Sequence, residues 1–441
     1  MKTRFICLMA VVLLFATFCS SCKKDEKISV HDVTLNIDNM ILIPGAVYNL
    51  TATIIPDNAT DPNIRWESSN PDVATVSDGV VTAVSEGETE IKVTTISGNK
   101  TATCNIAVRT KIMKMTTEAN SVTIGLTGSG EIAIDWGDGT IIELYSLTSK
   151  IVYIAHVFKS NFNKIITIGG GNITRLLCEG NQLTELDVSN FSELVNLQCL
   201  YNKLTNLDVS NNSLLDTLWC NSNELTSLDV SNKTALTALS CNDNQLTNLN
   251  VKGCSELNYF RCNNNNLTSL DVSECLFIFN LYCQYNKIMV LNVDENIRLE
   301  RLNCSNNRIM TLNLTNNNRL SSLLCSINPI SELELSNNDR LTTLDFERCR
   351  IKNIDLSMNT VLQEINCNYN QLTQLDMGNN TALKTLLCQA NKLSGEEIDN
   401  LFDSLHNNEI TGKSIDVSYN PGTNDCSQTI ATSKEWTVIA K

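Results

Sequence analysis

The sequence predicts a mainly β chain in which two small β modules precede one long stacked solenoid. Three observations carry that reading. An apolar position recurs at a constant step, without insertion, at Leu183, Leu204, Leu225, Leu246, Leu267, Ile288, Ile309, Ile330, Ile351, Leu372 and Leu393. Before it, residues 30–171 hold short apolar–polar alternations broken by turn signals. The chain has 441 residues and is 42% apolar, which is enough to build packed cores in several domains.

The N-terminus reads as an export signal. Lys2 and Arg4 form a basic start, and Phe5–Phe18 is an apolar run. A bilayer core needs about 20 residues, so the run is too short to span one. It ends in Cys19-Ser20-Ser21-Cys22, and the stretch resembles a bacterial lipoprotein signal. That resemblance implies cleavage after Ser21 and acylation of Cys22, because Ser20 and Ser21 are small whereas Phe18 before Cys19 is bulky. Several acyl chains on one residue suffice for stable anchoring. The following Lys23-Lys24-Asp25-Glu26 has no Asp directly after the cysteine. By the same resemblance this implies the outer membrane, and a charged tetrapeptide there resembles a surface-export signal as well as an ordinary solvated tether. We therefore expect a signal peptide at 1–21, a tether at 22–29 and membrane contact through the lipid alone.

Residues 30–109 carry strand patterns such as Val33–Ile37, Tyr48–Ile54 and Ile91–Ile96, separated by Pro44-Gly45, Pro56-Asp57-Asn58 and Ser77-Asp78-Gly79. Their spacing predicts an antiparallel sandwich. The run Ile64-Arg65-Trp66-Glu67-Ser68-Ser69-Asn70-Pro71-Asp72-Val73-Ala74-Thr75-Val76, with Gly79-Val80-Val81-Thr82-Ala83 and Gly87, closely resembles the bacterial immunoglobulin-like group 2 domain. The resemblance implies a spacer of the kind found in surface proteins, with direct binding as the alternative. Trp66 is expected in the core and Cys104 as a small buried hydrophobe.

Residues 111–171 alternate again at Val122–Ile124, Glu131–Asp135, Ile151–Ile154 and Ile165–Ile168. Asp135-Trp136-Gly137-Asp138-Gly139-Thr140 and His156-Val157-Phe158 resemble the turn and following strand of PKD-type β modules in abbreviated form. Asp138-Gly139 is a strong hairpin signal. Asp135 and Asp138 together fall short of the six to eight oxygens calcium takes. We read the motif as structural and His156 as a core residue.

The 21-residue unit spans residues 172–393 and reads L-T-x-L-D-V-S-x-N-x-x-L-x-x-L-x-C-x-x-N-x. It is similar to the leucine-rich repeat, in a bacterial variant with Cys at the third core position. One coil cannot bury its apolar side alone, so stacking makes a continuous core. Asn181, Asn202, Asn223, Asn244, Asn265, Asn286, Asn307, Asn328, Asn370 and Asn391 form a column expected to satisfy backbone groups at the bends. Cys349 interrupts it, in the coil where Phe346 also interrupts the cysteines, and that coil should be softer.

Ten of the 18 cysteines share one column: Cys178, Cys199, Cys220, Cys241, Cys262, Cys283, Cys304, Cys325, Cys367 and Cys388. A line of inward thiols does not converge on a metal and suits disulfide dihedrals poorly, so reduced burial is the first reading. If any pair is bonded, it is Cys254 and Cys275, which stand outside the column. Asp187, Asp208, Asp229, Asp271, Glu334, Asp355 and Asp376 form an acidic column, read as a solvated face with weak calcium binding as the lesser alternative. Residues 394–441 should close the stack. Ser394-Gly395-Glu396-Glu397 fits a capping box before a helix, and Ile415–Val417 and Trp436–Ile439 read as strands. His406 is read as a cap of the helix end.

The outward strand positions are mostly Asn, Ser, Thr and Gln, except for Trp219, Tyr259, Arg261, Tyr282 and Arg301, with Phe279 and Tyr285 nearby. Trp, Tyr and Arg are the types enriched at binding hot spots. Drift on an unconstrained surface is the plain alternative. The net charge of −15, or −17 once residues 1–21 are removed, repels phosphate backbones and argues against nucleic acid. Three histidines in separate modules, with no HExxH, GxSxG or P-loop pattern, argue against a hydrolase, and Gly169-Gly170-Gly171 alone is weak. The expectation is a non-enzymatic, lipid-anchored surface protein, without cofactor or metal, that binds a protein or a glycan. A structural spacer or assembly scaffold is the alternative.

Overall fold

A computed structural model describes residues 27–140, 142–159 and 163–441. The export signal and Cys22 lie outside these residues. No helix among the described residues is long and apolar enough to cross a membrane.

The first domain is a sandwich. One sheet orders Asn39–Leu42, Thr101–Val108, Gly87–Thr95 and Ile64–Ser68; the facing strands are Val47–Asn49, Val80–Ala83 and Ala74–Ser77. Alternation along the strands sends Val81, Ile91, Cys104 and Ile106 into one core, and half-buried Trp66 packs on it. Gly79 is required by the turn: its φ is +83°, and a Cβ there would meet the Leu50 carbonyl at 2.5 Å.

The second module does not end where its alternation suggests. Its last strand runs unbroken from Lys164 to Leu177, across the expected border between residues 171 and 172. That strand pairs antiparallel with Ile112–Thr117 through its first half and with Ser121–Asp135 from Thr167 to Leu177, while the other edge of Arg175–Leu177 pairs parallel with the first coil at Asn196–Gln198. Ile112–Thr117 also pairs antiparallel with Leu183–Asp187. The module therefore covers the open N-terminal edge of the solenoid, as a parallel stack requires. The Gly169-Gly170-Gly171 run serves the joint with the first domain. A Cβ at Gly169 would meet Arg109 Cγ at 2.8 Å and Ile41 Cγ2 at 2.9 Å. Buried Arg109 donates to the Gly87 carbonyl at 3.0 Å and pairs with Glu88 at 2.7 Å.

On Arg175–Leu177 twelve short strands stack in parallel, ending at Ser414–Asp416 and Thr437–Ile439. At ~4.8 Å per strand the stack is about 58 Å long. Leucines one repeat apart pair in register, as in Leu197↔Leu218↔Leu239↔Phe260. At the far end the helix Gly395–Ser404 begins as expected, with the Ser394 hydroxyl accepting from Glu397 N at 3.2 Å. It buries Ile398, Leu401 and Phe402. His406 is a pin rather than a helix cap: its Nε2 meets the Leu383 carbonyl at 2.8 Å, and its ring packs edge-on against Trp436 at 5.4 Å.

Two buried columns tie the coils together, with different chemistry. In the first, Asn265 donates from Nδ2 to the Cys241 and Cys262 carbonyls at 3.0 Å, and its Oδ1 accepts from Leu246 N at 2.9 Å. This pattern repeats along the column and ends at Asn420. The residue before each of these asparagines has a positive φ, from Gly180 and Tyr201 through Tyr285 and Ile327 to Tyr419. The second column is the asparagine at the ninth position of the repeat. Asn296, Asn317, Asn338, Asn359 and Asn380 donate to two carbonyls of the preceding coil, while their Oδ1 atoms meet no partner among the described residues. That site needs only a donor. Lys233, with Nζ 2.6 Å from the Val209 carbonyl, and the thiols of Cys254 and Cys275 fill it equally. Cys254 and Cys275 are accordingly free thiols, each turned to a backbone carbonyl.

Two stability outcomes follow. Asn265→Cys removes the acceptor of the buried Leu246 N–H and should cost about 2–3 kcal/mol, whereas Asn338→Cys should cost under about 1 kcal/mol. Ile327 is β-branched at φ 54° and 44% exposed, so Ile327→Asn should gain about 1 kcal/mol. Equilibrium denaturation of the three variants checks both.

Candidate functional site

Each coil contributes a three-residue strand whose middle side chain is buried, leaving the first and third outward. Parallel pairing without register shift aligns these into two rows. One contains Asn196, Thr217, Ala238, Tyr259, Asn280 and Arg301; the other contains Gln198, Trp219, Ser240, Arg261, Tyr282 and Asn303.

Three of the expected residues meet. The Arg261 guanidinium carbon lies 5.0 Å from the ring centres of both Tyr259 and Tyr282, and the two rings are 6.2 Å apart. Tyr259 reaches it along the strand and Tyr282 from the next coil. Each cation–π contact contributes about 0.5–1 kcal/mol at an exposed site. Together they hold the exposed Arg261 in place with N–H groups free to donate. Trp219, 38% exposed, stands two strands away in the Arg261 row, with Ser240 between. Arg301 stands two strands from Tyr259 in the other row. Phe279 and Tyr285 are not on the strand face. Phe279 precedes the strand Asn280–Tyr282, and Tyr285 occupies the positive-φ turn after it.

Pairs that the outward rows did not suggest also stack. Arg298 lies 4.0 Å over Phe277, and Arg348 lies 4.3 Å over Tyr369. The signal was present: the members of each pair stand one repeat apart, hence on adjacent coils. Leu276, Phe279 and Ile297 are exposed beside the first pair, at the entry to the strands carrying Tyr282 and Arg301.

The acidic column has a turn-forming role. Asp208 and Asp229 accept from the backbone N–H two residues ahead at 2.8 Å, and Asp271 does so at 3.0 Å. Asn250, Asn292 and Asn313 do the same in their coils, so the position needs an oxygen rather than a charge. Hydrogen bonds from Ser210, Ser231 and Ser273 hold Asp208, Asp229 and Asp271 below the usual carboxylate range. No group of three or more His, Cys, Asp or Glu suited to a metal occurs among the described residues. Desolvation pushes thiols of the cysteine column up, Cys199 and Cys283 to about 12, so they are poor nucleophiles and ligands.

The residues 135–140 and 156–158 form a knot. His156 stacks on buried Trp136 at 4.5 Å, its Nε2 meets Asp138 Oδ2 at 2.9 Å, and Phe158 packs on its edge. Asp138 also accepts from Thr140 N and Oγ1. Its flanking strands Ser121–Asp135 and Glu143–Leu147 do pair as a hairpin, through a longer connection than a two-residue turn.

Residues 29–106 match the family model described as Bacterial Ig-like domain (group 2). Two curated relatives share short stretches: an uncharacterized protein of Clostridium acetobutylicum, 44% identical over 75 residues, and an Ig-like virion protein of Serratia phage KSP90, 35% identical over 83 residues. These stretches cover 17% and 18% of this chain and 18% and 32% of the two relatives, so the chain spans well under half of either. Among solved structures, the functional domain of InlJ from Listeria monocytogenes, which includes a cysteine ladder, is 31% identical. That match covers 56% of this chain and 64% of that one, with a TM-score of 0.44. An internalin, InlF, from the same organism is 22% identical, covering 60% and 86%, with a TM-score of 0.48.

Because these aspartates have depressed values in the fold, their stabilisation is complete above the unfolded value near pH 4 and is lost as pH falls through the folded value. Asp229→Asn should leave stability at pH 7 nearly unchanged and reduce its loss in acid, measured as the denaturation midpoint at pH 7 and pH 3. The architecture is that of a group 2 bacterial immunoglobulin-like domain joined, through a β module that caps it, to a leucine-rich-repeat solenoid.

Proposed function

We propose that this chain is a lipid-anchored surface protein that captures a partner on the outward strand face of its solenoid. Export through residues 1–21 and acylation at Cys22 would hold it at the outer membrane, with the immunoglobulin-like domain as the spacer. The observation that carries the reading is Arg261 clamped between Tyr259 and Tyr282, with Trp219 in the same row and Arg301 on the same face. Such a group is already ordered before binding, so little side-chain entropy is lost when a partner docks. Its chemistry suits a protein surface, and the tyrosine and tryptophan faces also suit a sugar ring. We assign the chain no catalytic role, cofactor or metal, and its net charge of −15 disfavours nucleic acid.

The soluble fragment from residue 27 should capture a ligand on a panel of extracellular-matrix proteins and glycans. Replacing Trp219, Tyr259 and Tyr282 together by alanine should weaken capture by at least 30-fold, about 2 kcal/mol, without moving the melting midpoint. Unchanged capture would favour a structural spacer or scaffold instead. Cells fed a labelled fatty acid should incorporate it into the wild-type chain and not into Cys22→Ser. Equal labelling of both would remove the anchor from the proposal.

A further inference from the structure

The tenth position of the repeat follows the second buried column, and it is Ser, Thr, Asn or Asp from Ser192 to Ser255 and from Asn318 to Thr381. Two adjacent coils depart from that pattern, with Leu276 and Ile297. Both face solvent, Leu276 being 45% and Ile297 57% exposed, and Phe279 nearby is 36% exposed. A single exposed apolar side chain is ordinary on a protein surface, whereas a contiguous group marks a place where something docks.

Three contacts between the two coils make the group contiguous. Asn296 donates from Nδ2 to the Cys275 carbonyl at 2.9 Å, which sets the residues that follow, Leu276 and Ile297, side by side. Arg298 covers the Phe277 ring at 4.0 Å. The Phe279 carbonyl accepts from Glu300 N and Arg301 N at 2.9 Å, where the strands Asn280–Tyr282 and Arg301–Asn303 begin. The apolar edge therefore runs directly into the face that carries the Tyr259–Arg261–Tyr282 clamp. Arginines border it: Arg298 and Arg301 stand in the second of the two coils, and Arg319 repeats the Arg298 position in the next. Neither these three nor Arg261 forms an ion pair among the described residues, although Glu256 and Glu300 lie on the same edge.

We infer that the partner is a protein segment whose apolar side chains, flanked by carboxylates, seat on Leu276, Phe279 and Ile297. The carboxylates meet the bordering arginines. This rests on the proposed capture by the strand face and extends that face onto the edge of two coils. Leu276 and Ile297 are branched aliphatics with no flat ring on which a sugar could stack, so covering them is favourable only against an apolar partner. A guanidinium without an internal partner takes a carboxylate through two parallel N–H bonds. An apolar centre bordered by aromatic and arginine side chains is the layout of a protein interface.

The test selects short random peptides displayed on phage against the full chain, and then against Leu276→Ser combined with Ile297→Thr. That variant restores the residue types of the other coils, so it should fold with an unchanged melting midpoint. The enriched peptides should carry Asp or Glu beside Leu, Ile or Phe, and should bind the double variant about tenfold or more weakly. Selection against Arg298→Gln combined with Arg301→Gln should keep the apolar residues and drop the acidic ones. The inference is overturned if no peptide is enriched, if the enriched peptides lack acidic residues, or if they bind the double variant as tightly as the wild type. A glycan captured by wild type and by the Leu276 and Ile297 variant, but not by the triple alanine variant at Trp219, Tyr259 and Tyr282, would also overturn it while leaving the strand face as the capture site. A ligand whose capture neither variant alters would remove both readings.

Discussion

Each coil of the solenoid must bend sharply to return to its own strand, and each bend buries backbone groups that neither helix nor sheet can pair. The side-chain amide of one asparagine resolves this. In each regular coil it donates to two carbonyls, one in its own coil and one in the coil before, and accepts an N–H from the previous coil. An unpaired buried group costs about 1–3 kcal/mol, so the amide decides whether the bend is tolerable. It also sets the distance and register between coils, because it bridges them directly.

The difference between the two ladders follows from the same accounting of donors and acceptors. The first column needs a group that both donates and accepts, and it holds asparagine in every regular coil except one. The second needs a donor alone, and there a lysine ammonium and two thiols replace the amide. Tolerance at a buried position is thus set by hydrogen-bonding capacity more than by charge or volume. Lys233 sits in the interior with its ammonium held by the Val209 and Asn212 carbonyls, although burial lowers its pKa.

Fixed register has a consequence on the outside. Because no coil carries an insertion, residues one repeat apart always face the same neighbour, and chemistry can be assembled across coils as it would be across a flat sheet. Arg261 with Tyr282, Arg298 with Phe277 and Arg348 with Tyr369 are all pairs of this kind. The stack needs closure at both ends, and the two ends solve it differently. The first is covered by antiparallel strands that share a strand with the first coil, and the second by a helix and two further parallel strands.

The sequence by itself determined whatever repeats or follows local rules. The leucine, cysteine and asparagine columns, the helix start at Ser394 and the sandwich with Trp66 against its core were all legible, because periodicity and capping are properties of neighbouring residues. Tertiary structure decided what depends on partners distant in the chain. Only in the fold does the end of the strand Lys164–Leu177 carry an antiparallel partner on one edge and the parallel first coil on the other, and only there does the glycine run become the seat of Arg109. The acidic column is exposed, as its charge suggested, but the backbone N–H groups it accepts are not visible in a sequence. Which of the outward residues touch was decided by the fold: Arg261 joins Tyr259 and Tyr282, while Trp219 and Arg301 stand two strands away. Contact there depends on side-chain reach across a fixed strand spacing, which the sequence does not encode locally.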